Sequence, residues 1–162
     1  LKIIKKTDNS SKIKDAIKQV DKSAMRVGWG EDQRYQDGEP VAMIAAQNEF
    51  GNRSKNIPAR PFMRLAIIGQ GDKWKAMLGQ GISKVLDLKE TVSSVFEKLG
   101  GIVAGDIKKA IVNVTAPALK ASTVAARLRG KKQGKAVSLT VAKPLVDTKV
   151  MLNSIIHEEV QK

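Results

Sequence analysis

Apolar residues recur at intervals of three and four from Val92 through Val95, Phe96, Leu99, Ile102, Val103, Ile107 and Ala110 to Ile111. That series keeps one apolar face over about six turns, so residues 90–114 are predicted to form a single amphipathic helix. At about 1.5 Å per residue such a helix is roughly 37 Å long, and other elements must pack along it to cover the stripe. Gly100, Gly101 and Gly105 interrupt the series, each at about 1 kcal/mol relative to alanine. They either admit a closely crossing element or mark a kink.

The remaining pattern supplies the elements that can cover this face. Ser10 or Ser11 can cap a helix to about Lys22, whose stripe of Ile13, Ala16, Ile17 and Val20 is expected on the core. Met25, Val27 and Trp29 alternate with Arg26 and Gly28, a period of two that predicts a strand with one buried face. The polar stretch 31–39 reads as an exposed loop. Pro40 suits the first position of a helix through Val41, Ile44, Ala45 and Phe50, and Gly51 is placed to end it in the left-handed conformation. Residues 52–56 read as loop. Ile57 and Arg60 each precede a proline and must be extended. Pro61 can start a helical turn through Ile68, and Asp72 can cap a separate helix carrying Trp74, Met77, Leu78, Ile82, Val85 and Leu86.

Beyond Pro117 the pattern is weaker. Ser122 or Thr123 can cap a short helix to about Gly130, followed by a basic loop at about 127–136 and a strand at 136–141. Asp147 or Thr148 can cap a last helical turn through Asn153, before a strand at 155–160. Residues 1–6 read as a strand or a frayed end. The elements do not alternate as β-α-β, which argues against a doubly wound sheet. The expected class is α+β, with long amphipathic helices on a small antiparallel sheet. A length of 162 residues fits one domain spanning 1–162.

Composition narrows the function classes. The chain has no cysteine and one histidine, so disulfides, thiolate metal sites and cysteine nucleophiles are out, and a zinc site at His157 is disfavoured because position 161 is Gln161. Glu158 and Glu159 read as a solvated strand end. The glycine pairs at 28/30, 69/71 and 79/81 lack the third glycine of a dinucleotide loop, since Gln33, Trp74 and Lys84 stand there. Gly130-Lys131 and Gly134-Lys135 lack the rest of a phosphate loop. No serine sits in a nucleophile elbow. No apolar run approaches the roughly 18–20 residues of a membrane helix, and no signal segment is read at the start. The expectation is a non-enzyme without cofactor, metal or membrane contact.

Net charge is +13, and between Asp106 and Asp147 nine cations stand without one acid: Lys108, Lys109, Lys120, Arg127, Arg129, Lys131, Lys132, Lys135 and Lys143. Such a stretch is either a solvated basic loop or a contact for polyanions. Arg127, Arg129, Lys131, Lys132 and Lys135 are its candidate contact residues. It contains no aromatic residue, so the stacking platform of most single-strand binders is missing. Any nucleic-acid affinity would be electrostatic and non-specific, and a basic nucleic-acid-binding protein stands as the alternative reading.

Two stretches carry more information than charge. One is Asn48-Glu49-Phe50-Gly51 followed by Ile57-Pro58-Ala59-Arg60-Pro61-Phe62-Met63-Arg64. The other is Lys143-Pro144-Leu145-Val146-Asp147-Thr148, then Leu152, Ser154 and Ile155, with Thr123 and Arg127 ahead of it. Together they resemble the neck, head–tail joining or tail-completion proteins of long-tailed double-stranded DNA bacteriophages, over about residues 41–155. The family usually has glycine where Lys149 stands, so the backbone there is expected to differ.

The resemblance implies a structural virion protein of the head–tail junction, assembled in the bacterial host cytoplasm. It implies copies of the chain in a ring through which DNA passes, with a hexamer favoured. The implied neighbours are head-closure or connector proteins and tail-terminator or tail-tube proteins, with a secondary contact to packaged DNA. The candidate interface is Phe50, Ile57, Pro58, Arg60, Pro61, Phe62, Arg64, Pro144, Leu145, Asp147 and Thr148. In physical terms the two prolines stiffen a docking loop. Phe62 can anchor it in an apolar pocket, and Arg60 and Arg64 can bridge to carboxylates or carbonyls of a neighbour. Equally, residues 57–64 can close the domain's own core.

Overall fold

The side chain of Thr91 accepts the Ser94 amide at 3.2 Å and starts the long helix with a regular cap. In the computed structural model, which describes residues 9–131, 143–146 and 149–162, this helix is one of six. The described order is α1 Ser10–Lys22, β1 Ser23–Gly28, α2 Val41–Phe50, α3 Phe62–Leu86, α4 Val92–Asn113, α5 Ala121–Lys131, α6 Val150–Asn153 and β2 Ile156–Gln161. The class is α+β: mostly helix, with a two-stranded antiparallel sheet. The readings at residues 1–6 and 136–141, and the capping roles of Asp147 and Thr148, lie outside the described residues.

Helix α4 is the frame. Val92, Val95, Phe96, Leu99, Val103, Ile107 and Ile111 are buried along it, as the period required. Helix α3 runs beside it after a tight connection, and the β1–β2 ribbon packs on the same helix. The main core joins Val41, Phe62, Leu99, Val103, Ile107, Ile111, Leu145, Val146 and Met151; a smaller cluster of Val85, Val92, Val95 and Phe96 lies at the other end of the pair. Phe62 is fully buried and meets Trp29 edge-on, with ring centroids 5.8 Å apart. The Trp29 indole N–H donates to the Met151 carbonyl at 2.8 Å, which ties the start of the chain to α6.

Three expectations are corrected. Helix α3 is one continuous element of 25 residues, and Asp72 lies inside it, paired with Lys75 rather than capping. No proline interrupts residues 62–86, and the two glycines at the expected break, Gly69 and Gly71, cost only about 2 kcal/mol together. The α1 stripe is only partly covered: Ala16 and Val20 touch the smaller cluster, whereas Ile17 is 52% exposed and Ile13 is exposed as well. Helix α1 leans on the edge of the α3–α4 pair, too narrow a seat for a four-residue stripe. Glu158 and Glu159 are not a free strand end. Glu158 pairs with Arg26 across the ribbon at 3.3 Å, and Glu159 accepts the hydroxyls of Ser93 at 2.6 Å and Ser23 at 2.7 Å. Those two hydroxyls hold the Glu159 carboxyl below its ordinary value.

Of the two readings left open for the α4 glycines, close crossing applies at Gly100. A Cβ there would lie 2.5 Å from Cδ2 of His157, so β2 can approach only because the side chain is absent. His157 also reaches Glu97 one turn earlier, Nε2 to Oε1 at 3.1 Å. At Gly101 and Gly105 a Cβ would meet nothing within 4 Å. Gly100→Ala is therefore expected to destabilise the fold by about 1–3 kcal/mol through overpacking. Gly101→Ala should stabilise it by up to about 1 kcal/mol through helix propensity. Urea unfolding of the two variants checks the opposite signs.

A buried carboxylate paired with half-exposed Lys73 links α3 to α4. Asp106 is 8% exposed, and its Oδ2 accepts Lys73 Nζ at 3.0 Å and Trp74 Nε1 at 3.1 Å, while Lys109 Nζ stands 3.5 Å from Oδ1. Burial alone would raise its carboxyl; the Trp74 and Lys73 hydrogen bonds and the charges of Lys73 and Lys109 outweigh it and hold the group below its ordinary value. A carboxyl lowered in the folded state adds stability above its unfolded value, and that part is lost as pH falls through the folded value. Stability should thus fall on acidification below about pH 4, where a free Asp titrates. Asp106→Asn should flatten that slope in urea midpoints recorded against pH, and a slope identical to the parent chain's would refute the coupling.

Candidate functional site

The first of the two sequence stretches folds back on the end of α2. Gly51 has φ 78° and ψ 167°, a positive φ as expected but outside the left-handed helical region, in space that belongs to glycine. A Cβ at Gly51 would lie 2.9 Å from the Ala59 nitrogen, so the returning chain occupies the side-chain position itself. Asn52 and Ile57 then exchange two backbone hydrogen bonds of 2.8 Å around the turn at 53–56. The Arg60 amide donates to the Asn48 carbonyl at 2.6 Å. Residues 57–61 are thereby stapled to the last turn of α2 before α3 begins.

Glu49 completes the staple. This carboxylate is buried and accepts the amides of Met63 at 2.8 Å and Arg64 at 3.2 Å, which sit in the first turn of α3. It also accepts Arg64 Nε at 2.8 Å, while Arg64 Nη2 donates to the Glu49 carbonyl at 2.9 Å. A negative charge on the free amides of a helix start is favoured by hydrogen bonding and by the helix dipole together. The Arg64 guanidinium lies 5.4 Å from the centroid of the Phe50 ring, which is 71% exposed. The partners expected for Arg64 on a neighbouring protein are therefore met within the chain.

The same correction applies to Arg60. Its residue is 5% exposed, with Nε donating to the Pro117 carbonyl at 3.0 Å and Nη2 to the Ala118 carbonyl at 3.5 Å. Burial, and then the charge of Arg127, depress its pKa below the ordinary arginine value. Arg127 in turn donates Nη1 to the Lys143 carbonyl at 2.9 Å and Nη2 to the Pro144 carbonyl at 3.3 Å. One guanidinium thus clamps the first stretch to the linker after α4, and the other clamps α5 to the second stretch.

These clamps shape a cleft of about 770 Å³. Ile57, Pro58 and Arg60 border it from the first stretch, Thr123 and Arg127 from α5, and Pro144 and Leu145 from the second. The structure therefore brings together six of the candidate residues. Phe62 is in the core, Pro61 is half-buried before α3, and Phe50 and Arg64 form a separate exposed pair. Arg129 is exposed on α5 and Lys131 ends that helix, so residues 127–131 are helical where a basic loop was expected, and 132–136 lie outside the described residues. Lys132, Lys135, Asp147 and Thr148 lie outside the described residues.

Sequence reasoning missed several members of the site. Tyr35, Asp37, Glu39, Lys55, Lys120 and Lys149 also border the cleft. Burial raises the Tyr35 hydroxyl above its ordinary value, opposed by a hydrogen bond with the Met151 backbone and reinforced by Asp37. The phenol stays protonated and offers a hydrogen-bond donor. Lys149 has φ 61° and ψ 4°, so a lysine adopts there the left-handed conformation that glycine prefers. Its spacing from the second stretch was the available signal. Glu49 was visible between Asn48 and Phe50, but nothing local marks it as the cap of a helix that starts beyond a loop. Among the described residues no group of three His, Cys, Asp or Glu could hold a metal ion.

Removing Glu49 strands two helix amides and a guanidinium, whereas removing the half-exposed Arg64 leaves the carboxylate with both amides. Glu49→Ala is expected to cost about 2–3 kcal/mol and Arg64→Ala less than about 1 kcal/mol. Chemical denaturation measures both, and equal losses would contradict the capping role.

No protein-family model, no curated protein and no solved structure matches the chain.

Proposed function

We propose that the chain is a non-enzymatic assembly subunit of the head–tail junction of a long-tailed bacteriophage, acting in a ring that joins tail to capsid and forms part of the DNA passage. The observation that carries the reading is the meeting of the two sequence stretches, some 80 residues apart, at one cleft held by Arg60 and Arg127. An assembly protein needs a surface that is rigid before docking, because ordering a loop on binding subtracts from affinity. Residues 57–61 are fixed by two prolines, by the Asn52–Ile57 pairing and by the Asn48 carbonyl.

A second observation agrees. Leu65, Ile67 and Ile68 are exposed near the start of α3, Ile68 at 81%, and Phe50 is exposed at the end of α2. Large apolar side chains gathered on one helical turn are the kind of surface that neighbouring subunits cover. Six copies in a closed ring are the favoured stoichiometry. The flanking partners in this reading are a head-closure or connector protein and a tail-terminator or tail-tube protein.

The test is the chain's place in particles. Mass spectrometry of purified virions should detect it at a low, ring-like copy number, and gold-labelled antibody should mark the head–tail junction. Disruption of its gene should leave filled heads and separate tails. The rival, a dedicated nucleic-acid binder, requires duplex affinity that survives physiological salt and absence from virions. With Arg129, Lys131, Lys132 and Lys135 replaced by Gln, weak duplex binding should vanish while joining of heads and tails is reduced but retained. Binding through phosphates falls by roughly 0.9 log units per neutralised phosphate per log unit of salt, so a salt titration separates the two.

A further inference from the structure

The cleft carries a charge imbalance. Among the described residues bordering it, five are cations, including Arg60, Lys120 and Lys149, against the two carboxylates of Asp37 and Glu39. Arg60 is the most constrained. It is almost fully buried, it is held by two neutral carbonyls, and among the described residues no carboxylate pairs with it. A second guanidinium, Arg127, is close enough to disfavour its charge further. A buried cation held only by carbonyl dipoles, beside a like charge, gains most from a carboxylate brought to the cleft wall that it lines. Beside it, Ile57 and Leu145 supply apolar wall.

We propose that the cleft receives an extended acidic segment of a neighbouring protein, with one carboxylate set on Arg60 and an adjacent apolar side chain against Ile57 and Leu145. This rests on the assembly reading and names the chemistry of the partner at that same site. A volume of about 770 Å³ lies in the range of sites that enclose a drug-sized ligand, which suits a few residues of peptide. The chain's own first eight residues do not fit, since they carry three lysines against one aspartate. Duplex DNA does not fit either, because it is stiff over about 150 base pairs and cannot bend into a concave cleft to reach a guanidinium this deeply buried. Lys120 and Lys149, both exposed at the border, steer the acidic segment in and set its salt dependence.

The experiment uses the full chain and a fluorescein-labelled peptide, Asp-Leu-Glu-Leu-Asp-Glu, read by anisotropy at about 0.15 M salt. Its amide version, Asn-Leu-Gln-Leu-Asn-Gln, and its serine version, Asp-Ser-Glu-Ser-Asp-Glu, are the controls, with a duplex oligonucleotide as competitor. Binding should weaken at least about tenfold for the amide peptide and for the Lys120→Glu/Lys149→Glu variant, a loss of the size two surface ion pairs supply. The serine peptide should also bind more weakly. Arg60→Gln should abolish binding, and if that variant does not fold, the two exposed lysines decide the outcome. Binding indifferent to Lys120 and Lys149, or duplex that displaces the peptide at equal charge concentration, overturns the proposal. Failure of the peptide with the chain still found in virions removes only this partner. Peptide binding by a chain absent from virions removes the assembly reading instead.

Discussion

A buried guanidinium holding two backbone carbonyls is the constraint on which the cleft depends. Arg60 lies between two prolines, so its backbone is held extended. Its guanidinium donates to the Pro117 and Ala118 carbonyls, which belong to the irregular chain after α4. Hydrogen bonds to a charged donor are worth about 1.5–3 kcal/mol. Arg127 repeats the device at Lys143 and Pro144. Two segments with little regular structure are therefore held by cations, and the same cations give the cleft its chemistry.

The helical frame behind the cleft is set by different means. Apolar burial along α4 supplies the attraction, and Asp106 fixes how α3 sits against it through Lys73 and Trp74. The ribbon reaches α4 because Gly100 yields its side-chain position to His157. Phe62 joins frame and cleft: its ring fills the core against Trp29, while the backbone just before it carries Arg60. A change at Phe62 would therefore disturb both at once.

Much of the frame was legible in the sequence, because periodicity reports burial directly. The long series on α4, the alternation of Met25 and Val27, and the proline-defined extension of residues 57–61 all have local causes. Where local signals compete with tertiary ones the reading failed. Gly69, Gly71 and Asp72 suggested a break that packing on α4 overrides, and Ile13 and Ile17 suggested a burial for which α1 has no room. The cleft was legible only in part. The residues at 57–60, 127 and 144–145 could be chosen as a group, but the partners of Arg60, Arg64 and Glu49 are set by loop closure, which no spacing reveals.

In the proposed role the cleft meets another virion protein, and the exposed apolar residues Phe50 of α2 and Leu65, Ile67 and Ile68 of α3 meet another copy of the chain. Photo-cross-linking in intact particles tests that division of labour most directly. A benzophenone amino acid at Pro58, exposed on the cleft border, should yield a product containing this chain and a different virion protein. A product containing two copies of this chain, or none in particles that carry the substituted chain, would contradict the assignment of the cleft.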